Sequence, residues 1–221
     1  MTRALYGQEL KDLRSSVVAM ASMVDKAINN AVVALVQRDV SMAQQVVADD
    51  RAINEHRWRT EEQALLVIAT QAPMASDLRM IAAVIHIVTD LERMADHAAG
   101  IAKIAIQTAA QPPLKPLVDI PRMSEIARAM LHDAITAFID GDQAAARAIV
   151  ARDDEVDALY DQIYRELLTF MLADPTTINQ ATHLLWVAHN LERIADRATN
   201  ICERVVFAAT GQLEELAVST Y

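Results

Sequence analysis

Apolar residues recur along this chain at steps of three and four, the period of a helix buried on one face. Leu78, Ile81, Ile85, Val88, Leu91 and Ala95 show the pattern most clearly. Breakers divide it into six long helical stretches: about 6–38, 42–70, 76–110, 123–139 and 142–173, then from the Asp174-Pro175-Thr176 turn to Gly211. At ~1.5 Å per residue, 30-residue helices are ~45 Å long, which predicts an elongated bundle. Asp39 or Ser41, Ser76 and Asp142 are the expected N-caps, and Gly141 suits a left-handed helix end.

Pro112, Pro113, Pro116 and Pro121 form the proline-dense segment of the chain. They predict a linker over 112–121, between a first bundle (1–111) and a second (122–221) of three helices each. The symmetry is borne by an internal repeat. Residues 91–101 (LERMADHAAGI) and 191–201 (LERIADRATNI) share seven of eleven positions at an offset of 100. Asp39 and Asp142, Asp50 and Asp153, and Ile53 and Val156 pair at an offset of 103. The difference predicts a shorter turn between the second and third helices of the second half. The fold class is therefore all-α, a tandem of two three-helix bundles related by duplication.

The repeated positions carry the candidate chemistry. Glu92 and Asp96 lie four apart on one helix face, at the edge of the apolar stripe, and Glu192 and Asp196 repeat them. Asp153 and Asp157 form a second such pair on the preceding helix, where the first half has Asp50 and Asn54. Stacked like charges repel. Two facing pairs therefore invite a cation, and oxygen donors suit Mg²⁺, Mn²⁺, Ca²⁺ or carboxylate-bridged iron. A solvated acidic face is the plain alternative. Arg93 and Arg193 are expected to point away from these acids. No Glu-x-x-His occurs, which argues against a catalytic di-iron bundle. Phosphate-loop, nucleophile-elbow and zinc-helix motifs are also missing, so no enzyme is indicated.

Asp77 and Arg79 stand apart from the repeat. Pro73 stops one helix and Asp77 favours the start of the next, but a cation in a first turn is unfavourable. Arg79, with Asp77 beside it, is thus expected to face a partner, or Arg79 to reach an acid on a neighbouring helix. Six methionines, Met74 among them, fall at helical spacing as expected core filler, and the tail after Gly211 is expected to fray.

The net charge of −10 and pI near 5.0 argue against nucleic acid and anionic lipid, and favour basic partner surfaces. Cys202 is the lone cysteine, so no internal disulfide or thiolate site is available. Met1–Leu10 lacks an apolar signal core. Met80–Val88 falls short of the ~20 residues of a membrane span. A cytosolic protein with no membrane span is expected.

Gln71-x-Pro73-x-Ala75-x-Asp77-Leu78-Arg79, Leu91-Glu92-Arg93-x-x-Asp96 and Leu191-Glu192-Arg193-Ile194-Ala195-Asp196 occur in this order, followed by Thr199-Asn200-Ile201-x-Glu203. In these residues the chain resembles the PhoU family of bacterial phosphate-transport accessory proteins, from about Leu5 to Gly211. The resemblance implies a tandem of three-helix bundles, commonly dimeric, that represses the phosphate-starvation response. It implies a membrane sensor histidine kinase and the ATPase of the phosphate ABC transporter as partners. It further implies iron or zinc on Glu92, Asp96, Glu192 and Asp196, with Asp153 and Asp157 facing them and Asp50 in a slot weakened by Asn54. The same acids could equally form a docking surface. A metal-storage or oxidase bundle and an accessory subunit of a secondary phosphate permease are the alternatives.

Overall fold

The computed structural model describes residues 3–216, with side chains from residue 5 onward. Among these residues there is no strand. Seven α-helices follow in order: α1 (Arg3–Gln37), α2 (Val40–Gln71), α3 (Ser76–Thr108), α4 (Asp119–Asp140), α5 (Gln143–Val150), α6 (Asp153–Ala173) and α7 (Ile178–Thr210). Helices α1, α2 and α3 form the first bundle, and α4 to α7 the second.

The helix ends follow local chemistry. Asp39 accepts from the Met42 amide, and Asp142 from the amides of Ala144 and Ala145. Gly141 ends α4 at φ 66, where a Cβ would be strained. Ser76 is not a cap, contrary to expectation. Helix α3 starts at Ser76, behind Ala75 at φ 48, with no side-chain cap. The irregular linker covers 109–118, so Asp119, Ile120 and Pro121 already form the first turn of α4. A proline is tolerated there because that N–H has no intrahelical partner.

The expected fifth helix is two. The chain turns at Ala151 and Arg152, and Asp153, Asp154 and Glu155 open α6, where carboxylates meet the positive end of the helix. Both connections to the last helix of a bundle span four residues (72–75 and 174–177). The offset difference thus arises within the helices, one residue before the connection and two between the start of the last helix and its motif, and not in a shorter turn. In the second half that connection is a 3₁₀ turn capped by Asp174.

One continuous apolar core joins the halves. Helices α3 and α7 cross at its centre and run antiparallel: Asp90 meets Arg197 at 3.4 Å, while His97 meets Asn190 at 2.9 Å. Arg128 on α4 clamps Asp25 at 2.7 and 3.0 Å and Asn29 at 2.8 Å on α1. Lys115 holds the linker down through an ion pair with Glu166. Met80, Met94, Met123 and Met130 fill the core, but Met74 is 81 % exposed, because the turn after α2 carries it out of the packing.

The expectation of no membrane span rested on Met80–Val88. Helix α1 is long and apolar enough by composition, with a window of mean hydropathy 1.3 over Leu5–Gln37. Half of that window is buried in the bundle. Leu13, Val17, Met20, Val24 and Ile28 form its fully covered stripe, so its apolarity serves the core.

Candidate functional site: two unequal acidic clefts

The repeated acids fall where the last helix of each bundle packs on the one before it. In the first bundle α2 supplies Asp50 and Asn54, and α3 supplies Glu92 and Asp96. The Asn54 amide donates to Asp50 Oδ2 at 3.1 Å. Arg57, one turn further along α2, donates to Glu61 at 2.9 Å and reaches Glu92 Oε1 at 3.4 Å. Burial, then the Asp96 charge, raises the Asp50 pKa, against Lys103 and the Asn54 hydrogen bond. Burial and Asp96 likewise raise Glu92, against Arg57 and Arg93. This cleft contains its own cations.

The second bundle is built differently. Asp153 and Asp157 on α6 face Glu192 and Asp196 on α7, beside a cavity of about 950 Å³. Asp153 is pushed up to about 7, by burial first and then by the charges of Asp196, Asp157 and Asp154. Glu192 also rises to about 7, by burial and the Asp196 charge, only partly offset by Arg193. Asp157 rises for the same reasons. Arg193 does not point away, as the sequence pattern suggested; it folds back one turn to pair with Asp196. His189 Nδ1 lies 3.3 Å from Glu192 Oε2, without the alignment of a hydrogen bond, and burial lowers its pKa. His189 is therefore a weak counter-charge at neutral pH. Its ring packs between those of Tyr160 and Trp186.

Whether these residues fit a metal has two answers. Their donors are hard carboxylate oxygens, and Asp50 Oδ1, Asp153 Oδ1 and Glu192 Oε2 are covered without a hydrogen-bond partner. The chemistry fits a hard cation. Yet among the described residues no three acid, imidazole or thiol groups converge on a metal position, so side chains must rotate to enclose one.

Asp77 and Arg79 have partners inside the chain. Tyr6 donates its hydroxyl to Asp77 at 2.8 Å. Arg79 Nε approaches the Ala208 carbonyl at 3.4 Å and its side chain lies along Gly211, so the cation serves the negative end of α7. The tail, expected to fray, is ordered as far as it is described. Arg147 donates to Glu214 at 2.6 Å, and the Leu216 amide donates to Glu203 at 3.0 Å, so residues 213–216 line the cavity. Ser219, included in that expectation, lies outside the described residues. Sequence reasoning missed Arg57 as the cation of the first cleft. The 103-residue offset could have found it, because it pairs Arg57 with Tyr160 and Glu61 with Tyr164.

The PhoU domain family matches twice, over residues 17–105 and 120–205. A protein of Aquifex aeolicus named phosphate-specific transport system accessory protein PhoU homolog is 42 % identical over 93 % of both chains. A Caulobacter vibrioides protein of the same name is 40 % identical over 94 % of this chain and 90 % of its own. The crystal structure of PhoU from Pseudomonas aeruginosa superposes with a TM-score of 0.89 at 35 % identity, covering 94 % of this chain and all of that one. The phosphate transport system regulatory protein PhoU from Streptococcus pneumoniae gives 0.88 at 31 %, over 95 % and 99 % of the two chains. With both halves matched and relatives alike over nearly the full length, the chain belongs to the PhoU family.

Proposed function

We propose that this protein is a non-catalytic accessory protein of phosphate transport, working in the cytoplasm as a homodimer. In this reading it restrains the phosphate-starvation response when phosphate is plentiful. It does so by bridging a membrane sensor histidine kinase and the ATPase of the phosphate ABC transporter. The supporting observation is likeness over nearly the whole length to relatives named as accessory proteins of phosphate-specific transport. A surface rich in helix faces and poor in catalytic motifs agrees with binding as its work. The test is deletion of the gene in its host, followed by a phosphate-starvation reporter at high phosphate. Derepression is expected; full repression in a strain with no second copy sinks the reading.

Metal binding is the companion proposal, favoured by the covered oxygens of Asp153 and Glu192 that no hydrogen bond satisfies. Asp153, Asp157, Glu192 and Asp196 would hold iron or zinc in the second bundle; Asp50, Glu92 and Asp96 would hold less, with Asn54 and Arg57 beside them. The ion would supply positive charge beyond that of Arg193, which is paired with Asp196. Elemental analysis of purified protein is expected to find metal that Glu192→Ala/Asp196→Ala removes; unchanged content refutes the assignment.

A further inference from the structure

The repeat provides an internal comparison for the acidic clefts. In the first, the Arg57 guanidinium lies between Glu61 and Glu92. In the second, the equivalent α6 positions are Tyr160 and Tyr164, and Glu192 receives no guanidinium from α6. Where one half places an arginine and a glutamate, the other places two tyrosines.

An apolar edge leads away from this place. Asp157, Asp161, Tyr164, Leu168 and Leu172 follow one another along α6 at steps of four, three, four and four, so they share one side over ~22 Å. Tyr164, Leu168 and Leu172 are exposed, Leu172 by 77 %. Acids at one end and leucines at the other form a two-part surface, of which water covers the apolar half poorly.

We propose that this edge seats an amphipathic helical segment of a partner protein. Its apolar residues would pack on Leu168 and Leu172. An arginine or lysine at one end would pair with Asp157 and Glu192 in the metal-free cleft, as Arg57 pairs with Glu92 in the other half. The proposal rests on the regulatory reading above and names the surface and partner chemistry through which it works. Charge complementarity selects the occupant: the acidic end of the strip calls for a basic segment.

The test titrates the full-length protein with a fluorescent helical peptide of about 16 residues, leucine on one face and arginines at one end. Saturable binding is expected. Leu168→Ser/Leu172→Ser and Asp157→Asn/Glu192→Gln should each weaken it about tenfold, whereas Leu65→Ser/Leu66→Ser on α2 should not. All these leucines are exposed, so the fold is kept, and circular dichroism verifies it. Absence of saturable binding, equal binding of a glutamate version, or equal loss in the α2 control overturns the proposal. So does a carboxylate variant that loses metal but keeps full peptide affinity, since the cleft then serves an ion alone. In the host, Leu168→Ser/Leu172→Ser should derepress the starvation reporter. If deletion derepresses but this variant represses normally, the surface is wrong and the regulatory reading stands. If deletion changes nothing, the regulatory reading fails, and the peptide titration still decides whether the surface binds.

Discussion

At the scale of single residues, the two clefts differ in how they meet their own repulsion. Asp153 and Glu192 titrate near 7 in the folded protein, against 3.8 and 4.5 ordinarily. Between those limits the folded chain binds more protons than the unfolded one, so stability falls as pH rises through the window. Asp153→Asn/Glu192→Gln removes that loss. With a chelator present, calorimetry should give the variant a higher Tm than the parent at pH 8 and a similar one at pH 4; a parent equally stable at both refutes this. Arg57 acts oppositely. Arg57→Ala leaves Glu61 and Glu92 without their shared cation and should cost about 1 kcal/mol, read by urea unfolding. The acid positions were legible in the sequence because they repeat. Their partners were not: the Arg193 side chain folds one turn along its own helix, a rotamer choice that spacing cannot specify. The internal contacts of Arg79 lie beyond sequence reasoning as well, for its partner is 129 residues away.

Among elements, the break between α5 and α6 is the main departure from the expected plan. Ala151 and Arg152 are good helix formers, and no glycine or proline marks the turn. The signal present was the acidic run Asp153-Asp154-Glu155, which suits a helix start, but periodicity carried through it. Long helices with strong periods, such as α3, were readable to within about two residues, while the way an end is capped, as at Ala75, was not. The α4–α5 junction depends on two local devices. Asp142→Ala should cost about 1 kcal/mol by removing the bonds to the Ala144 and Ala145 amides. Gly141→Ala, at φ 66, should cost a similar amount, and thermal melts of both would check the pair.

For the whole molecule, the duplication predicts two units and the structure joins them through one core. Trp58 lies in the first half and Trp186 in the second, so each reports on its own bundle. Trp58→Phe and Trp186→Phe proteins should show the same unfolding midpoint by fluorescence; separated midpoints would mean that the halves unfold independently. The two-bundle plan was legible from the repeat, but the shared core was not, because the α3–α7 crossing is a long-range contact with no mark in local pattern. The tyrosines that replace Arg57 and Glu61 have a consequence at this scale. A scaffold with true twofold symmetry would offer any ligand two identical berths, filled in either order and facing either way. If the berth is used as proposed, replacing a guanidinium by a phenol in one half would leave a single one, setting the stoichiometry at one per chain and giving the complex a defined direction.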